Sequence, residues 1–216
     1  MVTAKAKDFV EVSYVGRIKG TNQIFDLTDL DLAKKEGIFN PNANYGNKII
    51  CLGEGFILKE LDNQLIGKEI GKNYTIELTP EKAFGIKDPS LVKIIQTNLL
   101  HQQKIRPFPG LQINASGLLG TIRSVSGGRT TIDFNHPLAS KNIIYEIKIE
   151  KLVTENKEKL SALLLNVLGL INKDYEIKLE NNKAEIKLKP KIPEETKEEF
   201  KVKAKELIPE LEIVFL

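Results

Sequence analysis

The stretch Gly53-Glu-Gly-Phe-Ile-Leu-Lys-Glu-Leu-Asp-Asn-Gln-Leu-Ile-Gly67 constrains the fold more than any other part of the chain. Ile57, Leu58, Leu61, Leu65 and Ile66 recur at helical spacing and make one apolar face, which predicts a single helix of about three turns. Gly67 falls where a left-handed cap is expected, because glycine enters that region without steric cost. Almost everything on either side reads as strand or turn. One buried helix with strands around it is therefore the expected plan.

Phe9 to Ile18 alternates and is rich in branched residues, so it is a predicted strand. Gly20-Thr-Asn turns the chain into a second strand around Gln23-Ile-Phe-Asp26. Residues 28–46 form an excursion in which Asp31 to Glu36 has the pattern of a helical turn. Asn47 to Leu52 returns as strand and delivers the central helix, and Asn73 to Thr79 is another strand. After Asp88-Pro89 the texture changes. Leu91 to Ile95 is apolar, Thr97 to Gln103 suits a short helix, and Arg106-Pro-Phe-Pro-Gly110 is a rigid turn. Three strands follow at Leu111–Asn114, Leu118–Val125 and Arg129–Phe134, joined by Ala115-Ser-Gly and Ser126-Gly-Gly turns. Asn142 to Val153 then alternates like the opening strand. Residues 88–133 thus read as an insertion in a domain made of 1–87 and 134–153.

From Thr154 the pattern changes again. Thr154 is the expected cap of a helix carrying Leu160, Leu163, Leu164, Val167 and Leu168 and ended by Gly169. Tyr175–Glu180 and Ala184–Lys189 alternate in phase around Asn181-Asn182, a hairpin signal. Pro193 and the acids after it open a second helix at the favourable end of its dipole, and Leu211 to Leu216 closes as strand. This αββαβ domain, residues 154–216, is too small to bury a large core alone. It is expected to dock on something, with a second copy as the simplest partner.

The net charge of +3 excludes nothing, but its distribution is uneven. Residues 90–132 carry Lys93, Lys104, Arg106, Arg123 and Arg129 and no acid. The one cysteine, Cys51, sits in the apolar run Ile49–Leu52 and reads as a buried structural thiol. The longest apolar run, Leu163–Ile171, contains Asn166 and Gly169, so no membrane span is expected. Met1 to Asp8 lacks the apolar core of a signal peptide, which points to the cytoplasm.

Five stretches together resemble the FKBP-type peptidyl-prolyl cis–trans isomerases, in the long, flap-bearing branch found in archaea and in bacterial SlyD proteins. They are Val12-Ser-Tyr14-Val-Gly16, Ile24-Phe25-Asp26, Leu52 to Leu61, Ala83-Phe84-Gly85, and Asp133-Phe-Asn-His136-Pro-Leu-Ala139. The resemblance covers residues 7–153. It implies an α+β fold in which a curved antiparallel half-barrel wraps one helix, with residues 88–133 as a small all-β flap. It also implies an apolar proline pocket formed by Tyr14, Phe25, Asp26, Ile57, Leu58, Leu61, Phe84 and Tyr145. Leu61 and Ile57 would be its floor and Phe25 and Tyr145 its walls. The Leu58 N–H would hold a substrate carbonyl, and the Tyr14 hydroxyl would orient Asp26. Family members often have tryptophan where Leu61 stands and tyrosine where Phe84 stands, which implies weak macrolide binding here.

The reaction needs neither metal nor cofactor, and the SlyD nickel-binding tail is absent. With only His101 and His136 in the chain, His136 is expected to be a structural hinge. Leu99, Leu100, Ile105, Phe108, Leu118 and Leu119 are too many apolar residues for so small a flap to hide, so they are the expected contacts for clients. The expected partners are unfolded or nascent proline-containing polypeptides, together with a homodimer through the C-terminal domain. Specific nucleic-acid recognition is not expected, because basic and aromatic residues are not interleaved. The leading expectation is an isomerase that also acts as a chaperone. Its rivals are a non-enzymatic holdase with a vestigial pocket and a ribosome- or RNA-docked adaptor acting through the basic flap.

Overall fold

The computed structural model describes residues 2–115, 117–180 and 182–216. Met1 of the expected N-terminus, Ser116 of the Ala-Ser-Gly turn and Asn181 of the Asn-Asn turn lie outside the described residues. The chain divides into two compact units, residues 1–77 with 143–216, and residues 78–142. In chain order the elements are β1 (Phe9–Ile18), β2 (Ile24–Leu27), α1 (Leu30–Lys35), β3 (Lys48–Cys51), α2 (Lys59–Leu65) and β4 (Asn73–Leu78). Next come β5 (Val92–Gln96), α3 (Thr97–Gln102), β6 (Gln112–Ala115), β7 (Leu118–Ser126) and β8 (Arg129–Asp133). The chain closes with β9 (Ile143–Leu152), α4 (Asn156–Leu168), β10 (Tyr175–Glu180), β11 (Lys183–Leu188), α5 (Glu194–Leu207) and β12 (Glu212–Phe215). The fold is mixed α+β with mainly antiparallel sheets.

The larger unit is built on β1. Its sheet runs β2-β1-β9-β4, with β3 also paired to β1, and β1 is antiparallel to β2, β3 and β9. Alternation along β1 puts Val10, Val12 and Tyr14 on one face, and all three are buried. Phe9, on the other face, is buried as well. It pairs with Cys51 across β3, and both enter a core with Leu160, Leu163 and Leu164 of α4 and Phe200 and Ala204 of α5. The apolar surface that the last sixty-odd residues could not bury alone is thus covered by the outer face of β1 and β3. The reason for expecting a second copy is met inside the chain. Three strands follow the order β10-β11-β12, with β12 parallel to β11.

Helix α4 ends at Gly169 as expected, but it begins differently. Glu155, not Thr154, is the cap residue, and no side chain caps the first turn. The central helix is shorter than its apolar spacing suggests. It occupies Lys59–Leu65, and the residues before it are turns, because Gly53 and Gly55 have φ of +88° and +72°. Gly67 has the expected positive φ, +84°.

In the smaller unit a four-stranded sheet, β5-β8-β7-β6, packs Ile122 and Ile132 against Leu100 of α3 and Ile113 of β6. Its two chain crossings meet at Asp133, which is 4 % exposed. Asp133 accepts from Arg123 Nε and a terminal guanidinium nitrogen (3.1 and 2.8 Å), Lys87 Nζ (3.2 Å) and the Asn135 backbone and side chain (2.9 and 2.8 Å). The Asn135 amide in turn accepts from the Asp88 N–H and donates to the Asp88 carbonyl. The Asp133-Phe-Asn-His signature is therefore a clamp that fastens the outgoing chain to the returning one.

Desolvation would raise the Asp133 pKa, but hydrogen bonds from Asn135, Arg123 and Lys87 outweigh it and hold it below the usual carboxylate range. A folded pKa below the unfolded one contributes stability that is present above the unfolded pKa and lost as pH falls. Unfolding of this unit should therefore become easier as pH drops below about 4. Asp133→Asn should cost about 1–3 kcal/mol at neutral pH and flatten that acid dependence. Denaturant titrations across the acid range, following amide signals of β7 and β8, check both.

Candidate active site

Three strands place the charged part of the site in one row. Gly16 on β1 lies opposite Asp26 on β2 and opposite Tyr145 on β9. A methyl group on Gly16 would sit 2.9 Å from Phe25 Cζ and 3.0 Å from Tyr145 Cε1, so only glycine lets the two rings close over the strand. They meet edge to face at 5.6 Å, and Tyr145 Oη donates to Asp26 Oδ2 at 3.2 Å. Strict alternation would send Phe25 and Asp26 to opposite faces. The pairing slips between Gly16 and Arg17, and this bulge lets both neighbours face Tyr145.

Tyr14 completes the group. Its ring lies edge to face with Tyr145 at 5.6 Å, and its hydroxyl accepts from Lys48 Nζ at 2.7 Å. The same ammonium lies 5.2 Å from the centre of the Tyr14 ring. Burial first, and then the Asp26 carboxylate through its charge, pushes the Tyr14 phenol well above its ordinary range. Tyr145 is pushed up by burial, then by Asp26 and Tyr14. The hydroxyl that donates to Asp26 is that of Tyr145, where the sequence reading expected Tyr14. Lys48 escaped the sequence reading. The signal was its in-phase spacing with Ile50, which puts it opposite Val12 on the inner face of β3 and diagonal to Tyr14.

The apolar part of the site follows β3. Its four residues run from Lys48, at Tyr14, to the loop before α2, a span of ~10 Å. Ile57 and Leu58 lie half-buried in that loop rather than on a helix, and Leu61 is buried in the first turn of α2. Asp62, 2 % exposed, holds the loop, accepting from the Gly53 N–H (3.0 Å to each carboxylate oxygen) and the Gly55 N–H (2.9 Å). Asp62 was also missed, because an acid in a helical pattern reads as solvent-facing.

Cys51 is buried as expected, and burial, then Glu54 and Asp62, pushes its thiol up to about 12. At neutral pH it is not a nucleophile.

Phe84 belongs to the smaller unit, where it stacks on His136 with ring centres 4.5 Å apart. His136 Nδ1 accepts from the Leu138 N–H at 3.2 Å. The six apolar residues expected to meet clients divide. Leu99, Phe108, Leu118 and Leu119 are exposed. Leu100 instead belongs to the unit's core, because the sheet needs α3 to cover Ile122 and Ile132, and Ile105 after that helix packs partly buried against the same core. Among the described residues no helix is long and apolar enough to cross a membrane.

A short-type peptidyl-prolyl cis-trans isomerase of Methanocaldococcus jannaschii is 30% identical over 145 residues, covering 67% of this chain and 91% of the relative. The chain belongs to the FKBP-type peptidyl-prolyl isomerase family. An FKBP-type 16 kDa peptidyl-prolyl cis-trans isomerase of Escherichia coli is 28% identical over 102 residues, spanning 45% of this chain and 68% of the relative. The SlyD isomerase of Aeromonas hydrophila is 24% identical over 119 residues, spanning 50% of this chain and 52% of its own. A family model described as FKBP26, IF domain, matches residues 93–138, which fall inside the smaller unit.

Asp26→Asn should lower the ionisation pH of both Tyr14 and Tyr145, since it removes the charge that opposes phenolate formation; a spectrophotometric phenol titration reads this. Gly16→Ala should cost about 1–3 kcal/mol by overpacking and pull Tyr145 off Asp26, which denaturant unfolding and the same titration would register.

Proposed function

We propose that this chain is a peptidyl-prolyl cis–trans isomerase whose charged contact with the rotating amide is Asp26. Family membership supports the reaction. The observation that carries the site is the Tyr145–Asp26 hydrogen bond closed over Gly16, an acid fixed among three aromatic rings.

Rotation about an X-Pro bond faces about 18–20 kcal/mol because twisting destroys amide resonance. The planar amide carries more negative charge on its oxygen than the twisted one. An apolar wall of Phe25 and Tyr145 favours the less polar twisted state. A carboxylate directed at the carbonyl raises the planar forms relative to it, which is the difference that catalysis requires. Leu61 and Ile57 form the floor under the proline ring, and the Leu58 N–H takes a neighbouring carbonyl. No nucleophile or cofactor is involved.

The smaller unit acts as a flap that holds clients. Leu99, Phe108, Leu118 and Leu119 supply exposed apolar surface for sequence-tolerant capture, and strand addition at the sheet edge adds backbone bonds. Holding the client raises the local concentration of its X-Pro bonds at the pocket.

A protease-free isomerisation assay on a short X-Pro peptide tests the reading. Wild-type protein should accelerate exchange, and Asp26→Ala should lower kcat/KM by on the order of tenfold. No acceleration, or an undiminished rate in Asp26→Ala, removes the proposal and leaves a holdase. Replacing residues 90–131 by a short linker should spare peptide turnover but slow proline-limited refolding of a whole protein. The Asp88–Asn135 bonds already hold the two ends together.

A further inference from the structure

The segment that carries Ile57 and Leu58 is held from two sides. From within, Asp62 binds the Gly53 and Gly55 amides. From outside, the two residues between these glycines and Ile57 that carry longer side chains both reach toward the C-terminal part of the chain. Glu54 pairs with Lys203 of α5. Phe56 packs against the core that contains Phe200, Ala204 and Leu207 of the same helix together with Cys51. Glu54 is largely buried, and its carboxylate holds the Lys203 ammonium above the ordinary lysine range. An exposed ion pair contributes little, but this one joins a buried acid on a glycine-rich turn to a regular fourteen-residue helix. Lys203 is the only side chain of α5 in an ion pair with that loop among the described residues.

We propose that the C-terminal αββαβ segment positions the isomerase pocket: Lys203 and the α5 core fix Glu54 and Phe56, and so set where Ile57 and Leu58 present themselves to the proline ring. Lys203, Glu54 and Phe56 are positioning residues, acting through the loop and not on the substrate. The inference rests on the isomerase reading for its consequence in turnover. The Asp62 bonds reach only Gly53 and Gly55, and regular structure does not start until Lys59, so without outside anchors Phe56 to Leu58 have the freedom to drift. A displacement of about 1 Å at a binding surface is enough to cost up to about a hundredfold in rate.

The test uses the full chain carrying Lys203→Glu, the reciprocal swap Lys203→Glu with Glu54→Lys, and separately Phe56→Ala. Two quantities are read well below the melting temperature: kcat/KM for an X-Pro peptide and the methyl NMR signals of Ile57 and Leu58. Lys203→Glu and Phe56→Ala should each lower kcat/KM by about tenfold and move both residues' signals, while the swap should recover most of both. In an active enzyme, an unchanged kcat/KM, a loss without movement of the two signals, or a loss that the swap fails to recover would each overturn the inference. If the wild type has no turnover, the isomerase reading fails by itself. Positioning is then judged on the methyl signals, and signals that stay in place in Lys203→Glu and Phe56→Ala overturn it.

Discussion

Strand β1 carries buried side chains on both faces at its N-terminal end, and the larger unit depends on that. Its inner face carries Val10, Val12 and Tyr14 toward β9 and the site. At its N-terminal end the outer face carries Phe9, beside Cys51 and Ile49 of β3, into the core shared with α4 and α5. A strand with one wet face would leave Phe9 and Cys51 in water and the C-terminal helices without a floor. Burial of a large apolar side chain is worth about 1.5–3 kcal/mol, and β1 supplies such residues to two layers, Val10, Val12 and Tyr14 to one and Phe9 to the other.

The site is economical in a related way. Its acid is held by one hydrogen bond, Tyr145 to Asp26, and that bond exists because the residue beneath it has no side chain. Removing bulk at Gly16 brings two rings and an acid together, and the bulge beside it turns Phe25 and Asp26 the same way. Lys48 adds a cation at the Tyr14 hydroxyl and ring, so the half-buried acid belongs to a polarised group. Asp62 does the corresponding work for the apolar half. A buried carboxylate whose oxygens are filled by backbone N–H groups costs little, and it gives a glycine-rich turn a defined shape.

The smaller unit follows the opposite logic. Leu100 and Ile105 close its core, whereas Leu99, Phe108, Leu118 and Leu119 stay outside. The clamp at Asp133 and Asn135 holds the two crossing chains together by charge-assisted hydrogen bonds, leaving apolar residues for the surface.

Much of this was legible in the residues. Alternation located β1, β9, β10 and β11 to within a residue or two, since period-two burial is a local property. The family resemblance implied Tyr14, Phe25, Asp26 and Tyr145 as one group, and the structure brings Tyr14, Phe25 and Asp26 each against Tyr145. The helix at Gly53–Gly67 was read too long, because Ile57 and Leu58 keep helical spacing without helical backbone. The turn at Gly53–Gly55 is set by Asp62 and by glycines at positive φ, and apolar periodicity is blind to both. Lys48 escaped because its partner Tyr14 is distant in sequence, and Asp62 because an acid in a helical pattern reads as solvent-facing. By itself the sequence determined most of the strands and the family, because these rest on local pattern and residue type. Only the tertiary structure decided that Phe25 and Asp26 share a face, and that the last helices pack on β1 and β3 of their own chain. Both outcomes are settled by strand register and by which apolar face meets which, and no local pattern encodes either.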